Sequence, residues 1–136
     1  MLVPRNAAVV LAVLLIALAL FQLALALGVP WGRAAFGGFT ERPGQNLRVG
    51  AAIATLLWVG AALVVLRRVG LPVWAPVPTG WLPVAAWVIA ALLALSIAVN
   101  AISPSVLEKA IWLPFGVVAT ALAVIVALSS TAAEGR

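Results

Sequence analysis

The chain has 136 residues, 66% hydrophobic and 8% charged, with a formal net charge of +5 and a mean hydropathy of +1.27. Soluble domains carry about 25% charged residues, so a water-soluble fold of this size is excluded. Cys, His and Asp are absent, which removes disulfides, thiolate chemistry, the usual metal ligands and the usual catalytic triads.

Only Glu41, Glu108 and Glu134 carry an acid. The inventory points away from an enzyme and implies no catalytic residue, no metal and no cofactor. The positive charge suits loops beside anionic lipid headgroups better than nucleic acid. A hydrocarbon layer of about 30 Å needs roughly 20 apolar residues per helix, and four such runs fill this chain. The alternating pattern of lipid-facing strands is missing. The expected fold is an all-α membrane protein, four transmembrane helices in an up-down bundle, as a single transmembrane domain over 1–136.

The first helix is expected over about 7–27, flanked by Pro4 and Arg5. A signal peptide competes, with Ala24-Leu25-Ala26 as a cleavage-like site. The apolar run exceeds the usual 7–15 residues of a signal core, so a retained membrane helix is expected. Gln22 is the one strongly polar side chain within it. An amide in hydrocarbon is costly unless paired, so Gln22 should face another helix or a wet cavity.

Loop 1 follows, over 28–46. Gly28, Gly32, Gly37, Gly38 and Gly44 give it turns, and Pro30 and Pro43 break helix. Gly37-Gly38 lacks the glycine spacing and Lys-Ser/Thr ending of a phosphate loop. The loop is long for a helix–helix link, which suits a functional segment. Trp31, Phe36 and Phe39 argue against disorder. A partly ordered lid is the expectation, with Trp31 at the membrane boundary.

The second helix is expected over about 47–66, with Asn46 as N-cap. Arg48 then falls in the first turn, where the helix dipole disfavours a cation. Snorkelling to headgroups explains it; the alternatives are pairing with Glu41 or Glu108, or binding an anion. Arg67-Arg68 stops this helix. Loop 2 carries Pro72, Pro76 and Pro78 and reads as a stiff hook, with Trp74 and Trp81 as interface anchors.

The third helix is expected over about 82–102, ending before Pro104. Ala86, Ala90, Ala94 and Ala98 make a small-residue seam that permits close packing. Ser96 and Asn100 share another face. Ser105-Val106-Leu107-Glu108 has capping-box spacing and opens a fourth helix over about 106–128. Pro114 should kink it or mark its true start. Ala119, Ala123 and Ala127 form a second seam, and a polar tail, SSTAAEGR, closes the chain.

Four spans put both termini on one side and loops 1 and 3 on the other, here the loop pole. Basic residues split evenly: Arg5, Arg67, Arg68 and Arg136 against Arg33, Arg42, Arg48 and Lys109. The expected location is the plasma membrane with cytoplasmic termini, because Arg5, Arg67 and Arg68 hug the helix ends. Intramembrane polar groups are less even and crowd toward the loop pole. Gln22, Trp31, Arg48, Asn100 and Glu108 are therefore the candidate ligand-binding set.

Gln22, the Gly28-x-Pro30-Trp31-Gly32 turn, Gly37-Gly38 and Asn100-x2-Ser103-x-Ser105-x2-Glu108 together resemble small four-helix bacterial integral membrane proteins of uncharacterised function. That resemblance supplies no activity. Small multidrug exporters share the size and charge balance, but that resemblance implies an acid deep in the first helix, where this chain has Gln22. The pore motifs of small fluoride channels are not found. Three functions stay open. The first is binding of a hydrophobic or anionic small molecule or lipid at the loop pole. The second is a transporter or channel subunit; the alanine seams suit either a tight monomer or a homo-oligomer such as a dimer. The third is a lipid-modifying enzyme with Glu108 as acid or base. Membrane lipid is the expected partner, and nucleic acid is not.

Overall fold

The computed structural model describes residues 2–129. Four α-helices run through it: α1 (Leu2–Ala26), α2 (Gln45–Arg68), α3 (Leu82–Ala101) and α4 (Val106–Leu128). All four are long and apolar enough to cross a membrane, and no strand occurs among the described residues. The protein is a four-helix, multi-pass membrane protein. Met1 and the tail after Ser129, with Glu134 and Arg136, lie outside the described residues.

The helix ends show where local chemistry shifted the expected bounds. α1 starts at Leu2 because Pro4 falls in its first turn, where a missing N–H costs nothing. The N-cap of α2 is Gly44, not Asn46, and it makes no side-chain cap bond. Instead the Arg48 N–H donates to the Gly44 carbonyl at 3.0 Å, closing the first turn from the backbone. Pro114 lies inside α4, so it does not mark the start.

The helices follow one another around the bundle. α1 packs extensively on α2, and α3 on α4; α1 meets α4 more closely than α2 meets α3. The main core lies in the half nearer the termini, where Ala8, Leu11, Leu15, Val65, Leu93 and Val126 are almost fully buried. Toward the loop pole only Leu25, Ala35 and Ala51 make a small second cluster. The buried cluster is large toward the terminal pole and small toward the loop pole.

The seams divide differently from their pattern. Ala119, Ala123 and Ala127 are all buried. Gly116 extends that stripe: a Cβ there would stand 3.0 Å from Ile97 Cγ1. In α3, Ala86 and Ala90 are buried while Ala94 and Ala98 are exposed, so half that seam is unused within the chain. At the terminal pole Arg67 holds the hook of loop 2, donating to the Val73 carbonyl (3.1 Å) and to Thr79 Oγ1 (3.2 Å). Arg68 is buried and donates to the Ala127 carbonyl (3.2 Å) and the Ser129 carbonyl. Carbonyls at a helix C-terminus lack intrahelical donors, and this guanidinium supplies them.

Candidate functional site

Loop 1 folds into two short 3-10 turns, Gly32–Ala34 and Phe36–Gly38, that cross the loop pole. Its backbone turns left-handed at Phe36, Gly37 and Gly38, with φ of 54°, 74° and 75°. What holds it is one face of α4. Ser105, Glu108 and Trp112 are three and four residues apart, so they project from the same side of the helix. Ser105 Oγ donates to the Arg33 carbonyl at 2.7 Å. Glu108 Oε2 accepts from the Gly37 N–H at 3.1 Å. Trp112 Nε1 donates to the Ala34 carbonyl at 2.7 Å. Backbone polar groups left unpaired away from water are expensive, and these three side chains answer three of them.

The capping box forms by half. Ser105 Oγ accepts from the Glu108 N–H at 3.1 Å, as the spacing requires. The carboxylate does not return to the Ser105 N–H, which donates to Ser103 Oγ instead (3.1 Å). Ser103 in turn donates to Glu108 Oε2. The carboxylate is thus freed to reach the lid. Glu108 is 9% exposed, and its other oxygen, Oε1, has no hydrogen-bond partner among the described residues.

Beneath the lid is a cavity of about 190 Å³. Leu18, Phe21 and Gln22 of α1, Trp58 of α2, Leu93, Ser96 and Asn100 of α3, and Glu108, Trp112 and Phe115 of α4 wall it, and Ala34 to Phe36 roof it. Five aromatic side chains line it, out of six Trp and four Phe in the chain. Phe21 and Trp112 meet at 4.9 Å, and Trp112 and Phe115 meet edge-on at 5.2 Å. No basic residue lines it; Glu108 is its one charged group.

The five sequence-chosen residues separate into three groups. Gln22, Asn100 and Glu108 share the cavity wall. The Gln22 amide makes no hydrogen bond among the described residues, and the residue is half-buried on the cavity wall. Asn100 Nδ2 donates to the Ser96 carbonyl at 2.8 Å, leaving Oδ1 without a protein donor. Ser96 Oγ donates back to the Leu93 carbonyl. Trp31 lies one ring away: it is 52% exposed and stacks on Phe21 at 6.2 Å with planes 9° apart.

Arg48 stands apart from the cavity. Its Nε donates to the Ala26 carbonyl at 2.9 Å, and its guanidinium lies over Gly28. The first turn of α2 is an adverse place for a cation by that helix's own dipole. The C-terminus of α1 beside it carries the opposite partial charge and carbonyls without donors. Arg48 serves the neighbouring helix.

Sequence reasoning passed over Phe21, Trp58, Ser103, Trp112 and Phe115 as site residues. Two signals existed. Trp58 lies mid-helix, far from the interfaces where Trp gathers, and Trp112 follows Glu108 by one helical turn. No protein-family model matches this chain, and neither does any curated protein or solved structure.

Proposed function

We propose that the protein binds the head of a small organic cation, an alkylammonium, in the cavity under the loop 1 lid. One observation carries this reading: a lone carboxylate among five aromatic rings, with no basic side chain on the wall. Ring faces attract quaternary and tertiary ammonium groups by about 0.5–2 kcal/mol each, more when water is excluded. Glu108 Oε1, Asn100 Oδ1 and the Gln22 amide oxygen add acceptors. An anion would meet these groups without a matching cation, so the anionic ligand considered from sequence is disfavoured. The volume suits a compact head: a dry cavity of about 150 Å³ accepts benzene.

Tetramethylammonium titrated against the intrinsic tryptophan fluorescence of the protein in neutral-lipid nanodiscs tests this. A saturable change is expected, weakened about tenfold or more in Glu108→Gln, because a quaternary ammonium has no N–H and the carboxylate holds it by charge alone. Acetate competing as well as tetramethylammonium would overturn the cationic reading.

A second reading, passage instead of capture, also draws on Glu108. A buried ionisable side chain within a membrane protein marks ion or substrate pathways. Flux of the same cation into liposomes, lost in Glu108→Gln, would favour transport; binding without flux would leave capture.

A further inference from the structure

A second hollow lies on the other side of Trp58. It runs between α2 and α3, the more loosely packed neighbours, toward the terminal pole. Its volume is about 500 Å³, and Gly60, Val64, Ala85 and Val88 are among its apolar walls, with Pro76 and Pro78 of loop 2 at its foot. From Leu92 to Val84 it follows α3 for roughly 12 Å at the helical rise. Trp58 lines both spaces. This indole is common to the walls of the cavity that holds Glu108, in the loop-pole half, and of an apolar slot in the other half.

From this we infer that the ligand is an amphiphile: its ammonium head occupies the cavity, and its hydrocarbon tail passes Trp58 and lies in the α2/α3 groove. The inference rests on the proposed cation site and says what is attached to the cation. Three observations lead there. Sites for whole drug-sized molecules run from about 300 to 1,000 Å³, so a cavity of about 190 Å³ takes a head and leaves a chain to be placed elsewhere. The groove walls are hydrocarbon almost throughout, so they suit a chain and no polar group. The groove opens laterally between two membrane-spanning helices, so the amphiphile reaches its site from within the bilayer.

Affinity alone is a poor probe, because lipid tails are as apolar as the groove and a longer chain gains little on transfer. Position is the better measurement. Protein in neutral-lipid nanodiscs is loaded with dodecyltrimethylammonium bearing a diazirine at its terminal carbon, irradiated, and mapped by peptide mass spectrometry. Adducts should gather on Val64, Ala85 and Val88, about tenfold above Leu20 and Val117, which are exposed on outer faces, where a dissolved tail would label all outer faces alike. Excess tetramethylammonium and Glu108→Gln should both erase that preference. Gly60→Leu should scatter the label yet leave tetramethylammonium binding intact. A Cβ at residue 60 has only Pro76 Cγ nearby, at 3.4 Å, so a larger side chain grows into the groove.

The failures are separable. Even labelling of all faces, with tetramethylammonium still bound, overturns the tail assignment and leaves the cation site standing. Groove labelling that ignores tetramethylammonium and Glu108→Gln shows a slot unconnected with the cavity, and also overturns it. Loss of tetramethylammonium binding in the wild-type protein overturns both.

Discussion

Replacing Gly38 by Ala should loosen the lid without touching the cavity wall. Gly38 has φ +75°, and a Cβ added to it would stand 2.7 Å from Ser105 Cβ and 3.2 Å from the Arg33 carbonyl oxygen. The first neighbour is not the end of a flexible chain. Ser105 is the N-cap of α4, fixed by its bond from the Glu108 N–H. A non-glycine residue in the left-handed region costs roughly 1–2 kcal/mol. Relieving the clash moves the loop off Ser105 and breaks the 2.7 Å bond to the Arg33 carbonyl, worth about 0.5–1.5 kcal/mol. The sum, about 1.5–3.5 kcal/mol, raises the ratio of open to closed lid by about 10- to 400-fold.

Hydrogen exchange reads that ratio. The Gly37 N–H donates to Glu108, and the Ala34, Ala35 and Gly38 N–H groups donate within the lid. Their exchange should accelerate by the same factor, while peptides from α2 hold their protection. Gly50→Ala is the control: Gly50 is exposed in α2 with nothing within 4 Å of its added Cβ. If Gly38→Ala exchanges no faster in the lid than Gly50→Ala does, the clasp described between loop 1 and α4 is wrong.

Arg48→Ala removes the donor to the Ala26 carbonyl, so a modest loss of thermal stability is expected, about 0.5–1.5 kcal/mol. Tetramethylammonium affinity should not change, and a tenfold loss would place Arg48 back among the ligand-binding residues. Trp112→Phe keeps a ring against Phe21 and Phe115 but leaves the Ala34 carbonyl without its donor. It should speed lid exchange by the worth of one orphaned carbonyl, about 1–3 kcal/mol, and combine less than additively with Gly38→Ala because both free the same segment. Gly116→Val forces a side chain against Ile97, 3.0 Å from the new Cβ. Overpacking of that kind costs about 1–3 kcal/mol; unchanged thermal unfolding would show that α3 and α4 do not meet as described.

The helices were legible because hydrocarbon imposes a long apolar run on any helix that crosses it. The four-residue alanine spacing in α4 showed its buried stripe for a similar reason: close helix packing admits only small side chains. The same spacing misleads in α3, where Ala94 and Ala98 face outward. Periodicity names a face but does not say whether a neighbour covers it. Arg48 shows the same limit. Its adverse place in α2 is visible in the sequence, but the α1 terminus that resolves it is brought alongside only by the fold. The lid was legible as a segment and not as a mechanism. Its bonds join residues 33–37 to 105–112, and no local pattern encodes a pairing across that span. The aromatic lining was hidden for another reason. Phe and Trp in an apolar helix look like any other lipid-facing residue until their direction is known.

Glu108 joins the two halves of the site. One carboxylate oxygen holds the lid through Gly37, and the other is unclaimed by the protein beside a cavity wall of aromatic rings. A cation drawn to the free oxygen also competes for the electron density that accepts the Gly37 N–H, while its bulk fills the space under Phe36. These effects oppose each other in sign on lid closure, and linkage requires lid closure to change cation affinity by the same factor by which the cation changes lid closure. Gly38→Ala separates them, because it opens the lid while leaving the carboxylate in place. If a bound cation requires the closed lid, that variant weakens tetramethylammonium binding in proportion to the closed fraction it loses. If lid and cation compete for Glu108, the same variant binds more tightly than wild type. An affinity identical to wild type, in a variant whose hydrogen exchange shows the lid mostly open, would deny that the carboxylate links the two.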